Sequence, residues 1–305
     1  MAAIFPSVRV GGPIRHEQLS VFPLYADAPA PVEYALSSDA IADGSVVVEE
    51  ISDAGSVPTL LVTNKANLFV LFLEGEQLIG AKQNRILNTS ILVAANSKTT
   101  IPVSCVEQGR WRFKSKLFAS SRAYSPAKLR YFVKLSVTES LQKGHGHKSD
   151  QSRVWAEVAE HQQERGVPSE SSAMEDTFES YRGRLGDLQK RFVYVEGACG
   201  VGVALGKQIA CLDLFDRPST CGKVWDRLIS SALLESFSPD ADENQAGVAD
   251  VESFVADIGT AAWQTTPSAG EGQEFRSAIE HGLQASALCF AHRIVHGSAV
   301  VAGPS

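Results

Sequence analysis

The 305-residue chain is 44% hydrophobic and 21% charged, which suits one large domain or two fused lobes and excludes a disordered polymer. Its 28 Lys and Arg stand against 35 Asp and Glu, a net charge of -7, so no cation surplus exists for general nucleic-acid binding. A small anionic ligand remains compatible with that balance, because one arginine and a few backbone donors can hold a phosphate.

The five cysteines, Cys105, Cys199, Cys211, Cys221 and Cys289, are odd in number and show no CxxC spacing. Reduced thiols in a cytoplasmic protein are the expectation, with no disulfide and no structural zinc site. The opening MAAIFPSVRVGG lacks a long apolar core, and no apolar run reaches the roughly 20 residues of a membrane span. The chain is therefore expected to be neither exported nor membrane-spanning.

From Met1 to about Phe113, short β-branched runs alternate with Gly, Asn, Asp and Pro, and SVVVEEI, TLLVTN, LFVLFL, RILNTSILV and TTIPVSCV read as strands. Within Arg85 to Val93 the alternation leaves only one face wholly apolar. After Ser125-Pro126 the spacing of Leu129, Phe132, Val133, Leu135 and Val137 turns helical. KGHGHKSD breaks that helix, Asp150 caps a second, and Ser171 or Ser172 caps a third running to about Arg191. GVGVALG and QIACLDLF form a hairpin about Gly206-Lys207, and Pro218 opens a helix through Trp225, Leu228 and Leu233. SPDADENQAGVAD reads as a mobile acidic loop, a helix follows near Val251 to Trp263, and RIVHGSAVV closes the chain as a strand. The expected class is α+β. An antiparallel, β-rich N-terminal half precedes a mostly helical half carrying the hairpin and the C-terminal strand. The chain forms one module, with a sub-division into a β-rich lobe of residues 1–120 and a helical lobe of residues 121–305.

Polar residues concentrate in LEGEQLIGAKQNRILNTS and IPVSCVEQGRW, inside otherwise apolar strands. Glu74, Glu76, Gln83, Asn84 and Arg85 flank a turn at Gly80, and Cys105, Glu107 and Arg110 lie on or after a third strand, with Cys105 and Glu107 on one face. If these strands are neighbours, the carboxylates and arginines converge. Such a set suits either a divalent cation held by oxygens or acid-base work on an anion oriented by arginine. The candidate catalytic residues are Glu76, Glu107, Cys105 and His296, with Glu74, Gln83, Asn84, Arg85, Arg110, Trp111 and Arg276 as ligand-binding candidates. Competing structural readings are cross-strand ion pairs, Asn84 satisfying turn amides, Cys105 as a core thiol and His296 as a hydrogen-bonded strand residue. His145 and His147 resemble a metal tract but are expected to be solvated. GVGVALG lacks the dinucleotide spacing. GEGQEFR offers an anion site if its glycine turn opens a helix bearing Arg276, and otherwise an exposed arginine on a surface turn.

EGEQLIGAKQNR, IPVSCVEQGRW, DQSRVW, the hairpin ending LDLF, GEGQEFR and IVHGSA together resemble a bacterial family, the ARG and rhodanese-phosphatase superfamily-associated protein domain family, over most of the chain. The resemblance implies association with ADP-ribosylglycohydrolases and rhodanese-like phosphatases, and no particular reaction. Two functions follow as expectations. One is an enzyme or sensor for an ADP-ribose-like or nucleotide ligand, with Glu76 and Glu107 as acid-base groups or metal ligands. The other is a non-catalytic protein-interaction module or homo-oligomeric scaffold.

Overall fold

The computed structural model describes residues 4–27, 30–52, 58–237, 244–279 and 282–302. In chain order it has β1 (Arg9–Val10), β2 (Ile14–His16), β3 (Leu19–Tyr25), β4 (Tyr34–Leu36), α1 (Ser37–Ala42), β5 (Val46–Glu50), β6 (Thr59–Asn64), β7 (Phe69–Phe72), β8 (Glu76–Gly80), β9 (Arg85–Leu87), β10 (Ile91–Val93), β11 (Ser97–Cys105) and β12 (Phe118–Tyr124). Helices α2 (Ala127–Gln142), α3 (Gln151–Glu164), α4 (Met174–Ser180) and α5 (Arg182–Gln189) follow. The hairpin β13 (Gly200–Leu205) and β14 (Gln208–Phe215) leads to α6 (Pro218–Glu235), α7 (Val248–Thr260), β15 (Gln264–Thr266), β16 (Gln273–Ile279), β17 (Leu283–Phe290) and β18 (Arg293–Val301).

These strands build three sheets. The largest runs β1-β3-β13-β14-β18-β17-β16-β15, antiparallel throughout, with β2 also on β3. A six-stranded antiparallel sheet runs β12-β8-β9-β11-β6-β5, and a small one runs β10-β7-β4 with β4 parallel to β7. The fold is α+β with a β-rich N-terminal half, and the ladder from β3 to β13 crosses residue 120.

Side-chain alternation along the large sheet feeds two cores. Val201, Val203, Phe215, Val295 and Val300 pack with Val133, Val137, Trp225 and Leu233 of α2 and α6. Phe22, Leu24, Leu212, Leu214 and Ala299 pack on the opposite side with Phe5 and with Val251 and Ile258 of α7. Covered on both faces, β13 and β14 read as nearly continuous apolar runs.

Several local expectations meet their elements. The hairpin turns at Gly206-Lys207, Pro218 begins α6, and Asp150 accepts hydrogen bonds from the Ser152 and Arg153 amides as the α3 N-cap. Others are corrected. RILNTSILV is two strands in different sheets, separated at 88–90, where the Asn88 side chain donates to the His147 carbonyl and Ser90 bonds His296, and the whole of Arg85 to Val93 is buried. Neither Ser171 nor Ser172 caps a helix. Ala173 occupies that position and Tyr181 divides the segment into α4 and α5. GEGQEFR leads into strand β16, and Arg276 is fully buried instead of exposed. Of the acidic segment, residues 238–243 lie outside the described residues, while Ala246 is buried and Val248 already begins α7.

Candidate functional site

The polar strands do adjoin in one sheet, but β9 separates β8 from β11, and the candidate residues divide among three networks.

The first gathers Gln83, Asn84, Arg85, Cys105, Glu107, Arg110 and Trp111. Arg110 grips Glu107 with two parallel bonds, Nε to Oε1 at 2.7 Å and Nη2 to Oε2 at 2.6 Å. The Asn84 amide donates to Glu107 Oε2 at 2.9 Å, and Asn84 Oδ1 accepts from the Gly80 amide at 3.0 Å. Gln83 bridges onward. Its Nε2 donates to the Glu107 carbonyl at 2.7 Å, and its Oε1 accepts from Arg85 Nη1 at 3.0 Å. Arg85, fully buried, also donates to Cys105 Sγ and pairs with Glu50 at 3.3 Å. Burial tends to raise the Glu107 carboxyl, but Arg110 and the Asn84 amide outweigh it and leave it below its ordinary value. Burial pushes the Cys105 thiol up to about 11, so the sulfur is held as a thiol.

The second network is deeper. Glu74 lies in the turn between β7 and β8, and Lys134 of α2 places its Nζ 2.6 Å from Glu74 Oε1 while also donating to Ser286 and Ser298. Ser90 Oγ lies 2.7 Å from His296 Nδ1, and His296 Nε2 lies 3.2 Å from Asp213, which Arg130 grips bidentately at 2.6 and 2.8 Å. A carboxylate only accepts, so Nε2 carries a proton toward Asp213. Arg276 bonds Glu274 at 2.6 Å, and Glu274 accepts from His147 at 2.7 Å. His147 is thus tucked against a carboxylate instead of solvated, while His145 is exposed. Burial raises the Glu74 carboxyl, yet Lys134, Arg130 and Arg276 bring it down to about 2, and burial brings Lys134 down to about 8.

The Ser90, His296, Asp213 order is that of a hydroxyl, a base and an orienting acid. All three are buried, and Ser90 Oγ also receives the Glu74 amide. The cavity beside Arg130 and Asp213 has about 10 Å³, room for a single water. Glu76 belongs to a third network, bonding Arg227 at 3.0 Å, Ser37 at 2.6 Å and Ser120 at 2.9 Å. Among the described residues, no group of three or more His, Cys, Asp or Glu is placed to hold a metal ion.

Residues that the sequence reading passed over carry much of this. Arg130, Lys134 and Thr138 recur every four positions on the buried stripe of α2, beside Ala127, Tyr131 and Val137, and cations on such a stripe are a readable signal. Gln151 of DQSRVW clips both backbone groups of Cys105, each at 2.8 Å. Asp213 sits inside LDLF, a polar residue in an apolar run.

Above the first network the chain from Trp111 to Leu117 is exposed at every position. Arg110 holds its base by donating to the carbonyls of Ala81 at 2.6 Å, Arg112 at 2.9 Å and Gly80 at 3.2 Å, while the Lys114 amide returns to Ala81 at 2.9 Å. Trp111, Phe113 and Leu117 are 48%, 49% and 44% exposed, too much apolar surface on a braced loop to be packing alone.

A family model for the ARG and Rhodanese-Phosphatase-superfamily-associated Protein domain, ARPP-1, matches residues 7–300. The chain belongs to this family. No curated protein and no solved structure matched it. The ARPP-1 match spans all three networks and the exposed loop together, so none of them is an appendage to the domain. Among the described residues of this ARPP-1 domain, no helix is long and apolar enough to cross a membrane.

Proposed function

We propose that this ARPP-1 domain is a non-catalytic binding module that takes a nucleotide-class anion on the Trp111–Leu117 loop, with the carboxylate and arginine cluster bracing that loop. The observation that carries this reading is the pairing of rings and charge. Lys82 Nζ lies 5.3 Å from the Trp111 ring and 5.1 Å from the Phe113 ring, with Arg85 5.8 Å from Trp111. Half-exposed rings suit a base by stacking, and the exposed Arg112, Lys114 and Lys116 beside them suit a phosphate by charge. Glu107 supports the same reading from below, since both its oxygens are committed to Arg110 and the Asn84 amide.

Calorimetric titration with ADP-ribose and AMP tests it. Trp111→Ala is expected to abolish the heat of binding while leaving the fold intact, and magnesium is expected to change nothing. Turnover of ADP-ribose that is lost in Glu107→Gln would favour the enzyme reading. Loss of a dimer in Trp111→Ala by sedimentation, with no ligand heat in the wild type, would favour a homo-oligomeric scaffold.

A further inference from the structure

The sequence GRWRFKSKL, Gly109 to Leu117, contains four cations and no carboxylate, in a chain whose net charge is -7. Arg110 is the cation spent on internal structure. The side chains of Arg112, Lys114 and Lys116 make no hydrogen bond or ion pair with the described residues, and all three are exposed. They alternate with Trp111, Phe113 and Leu117, so apolar and charged groups interleave along one short exposed segment.

Resting on the binding-module reading, we infer that the occupant is a single-stranded polynucleotide, two of whose neighbouring bases stack on Trp111 and Phe113 while its phosphates meet Arg112, Lys114 and Lys116. Both rings face one ammonium, Lys82 Nζ, at 5.3 and 5.1 Å, which keeps their centroids within about 10 Å of each other, a span two consecutive bases can bridge. Two adjacent platforms match two adjacent bases, and stacking tolerates any sequence because every base offers a π-face. A free mononucleotide fills only one of them.

Charge decides between a strand and the other polyanion that basic, aromatic loops meet, an anionic bilayer. A bilayer is a plane. It brings much more of the surface of a protein of net charge -7 within about 8–10 Å of negative charge, the range over which salt leaves repulsion effective. A flexible strand touches the loop alone and escapes most of that repulsion. Duplex DNA is disfavoured for the same reason, and its bases are not open for stacking.

The bracing adds to affinity. Gly80 has φ +119°, and a Cβ there would lie 2.5 Å from Ser115 Oγ and 2.9 Å from the Leu117 carbonyl, so the loop lies against β8 only because residue 80 is glycine. Ser115 in turn bonds the Ala81 amide at 2.9 Å and the Leu117 carbonyl at 2.7 Å. A loop held in place before binding loses less entropy on binding.

Fluorescence anisotropy at low salt with labelled single-stranded DNA and RNA of about ten nucleotides, a length within the usual site sizes, is the test. AMP and the matching duplex serve as comparisons, and flotation with phosphatidylserine/phosphatidylcholine vesicles as the membrane arm. Both single strands are expected to bind more tightly than AMP or duplex. Trp111→Ala/Phe113→Ala should weaken them about thirtyfold or more at unchanged circular dichroism. Lys114→Gln/Lys116→Gln should reduce the slope of log affinity against log salt by about 0.7 per cation removed. The inference is overturned by strands that do not bind, by strand binding indifferent to the aromatic pair, or by Trp111-dependent binding to vesicles alone. If strands fail while AMP or ADP-ribose still binds in a Trp111-dependent way, the polymer falls and the binding module stands. If no nucleotide binds in any form, both fall.

Discussion

At the scale of single residues, the Glu74 and Lys134 pair sets the terms. Both side chains are fully buried, and the costs of desolvating them are offset only by each other, by Ser286 and Ser298, and by the neighbouring arginines. Lys134→Met leaves a buried carboxylate without its main partner and is expected to cost on the order of 3–5 kcal/mol, read by urea unfolding. Adding Glu74→Gln should recover part of that loss. A double variant whose loss equals the sum of the two single losses would show that the two groups act independently.

The same carboxylate makes a statement about acid. Glu74 is held at about 2 in the folded protein against an ordinary 4.5, so the unfolded chain binds its proton first as the pH falls. Its stabilisation is therefore complete above about pH 5 and is lost as pH drops through the window toward 2. Unfolding free energy measured from pH 6 to pH 3 should fall more steeply in the wild type than in Glu74→Gln. Parallel curves would mean that the carboxyl is not held low.

At the scale of elements, loop 106–117 is the part whose position depends on distant residues. Val106 and Glu107 are tied to Ala173 and Met174, Gly109 to the Ser171 carbonyl, and Arg110 to the β8–β9 turn. Gly80→Ala places a methyl group against backbone at a φ that only glycine adopts comfortably, at a cost of about 1–3 kcal/mol. Hydrogen exchange at residues 112–117 should speed up in that variant while β13 and β14 keep their protection. Gly75 makes a second case. At φ +82° its Cβ would lie 2.9 Å from the Arg130 side chain, so Gly75→Ala is expected to disturb the Arg130–Asp213 pair and to destabilise the core without touching the loop.

At the scale of the whole molecule, all five cysteines are buried and free, so reductant is expected to leave the intact mass unchanged, and a gain of one pair of hydrogens would contradict that. How much of the molecule was legible follows physical lines. Local rules carried the hairpin, the Asp150 cap and the Pro218 start, because each is set by a few adjacent residues. Strands β15 to β17 were missed because, covered on both faces or at a sheet end, they lack period-two alternation. EGEQLIGAKQNR and IPVSCVEQGRW stood out correctly as places where polar residues interrupt strands. Which carboxylate meets which cation was not readable, since Lys134, Asp213 and Arg227 arrive from far along the chain. His296 stood out from its strand, but its bonds to Ser90 and Asp213 depend on sheet register.

The central claim is that the Glu107 and Arg110 cluster is a brace and the loop above it is the working surface. Thermal melts of Glu107→Gln and Trp111→Ala beside the wild type test this most directly. Glu107→Gln leaves the Arg110 guanidinium without its ion pair and should lower the melting temperature by a few degrees, for a loss of about 2 kcal/mol. Trp111→Ala, half exposed, should melt with the wild type. A Glu107→Gln protein as stable as the wild type or more so would contradict the account, because a carboxylate that costs stability where it sits is one kept for chemistry.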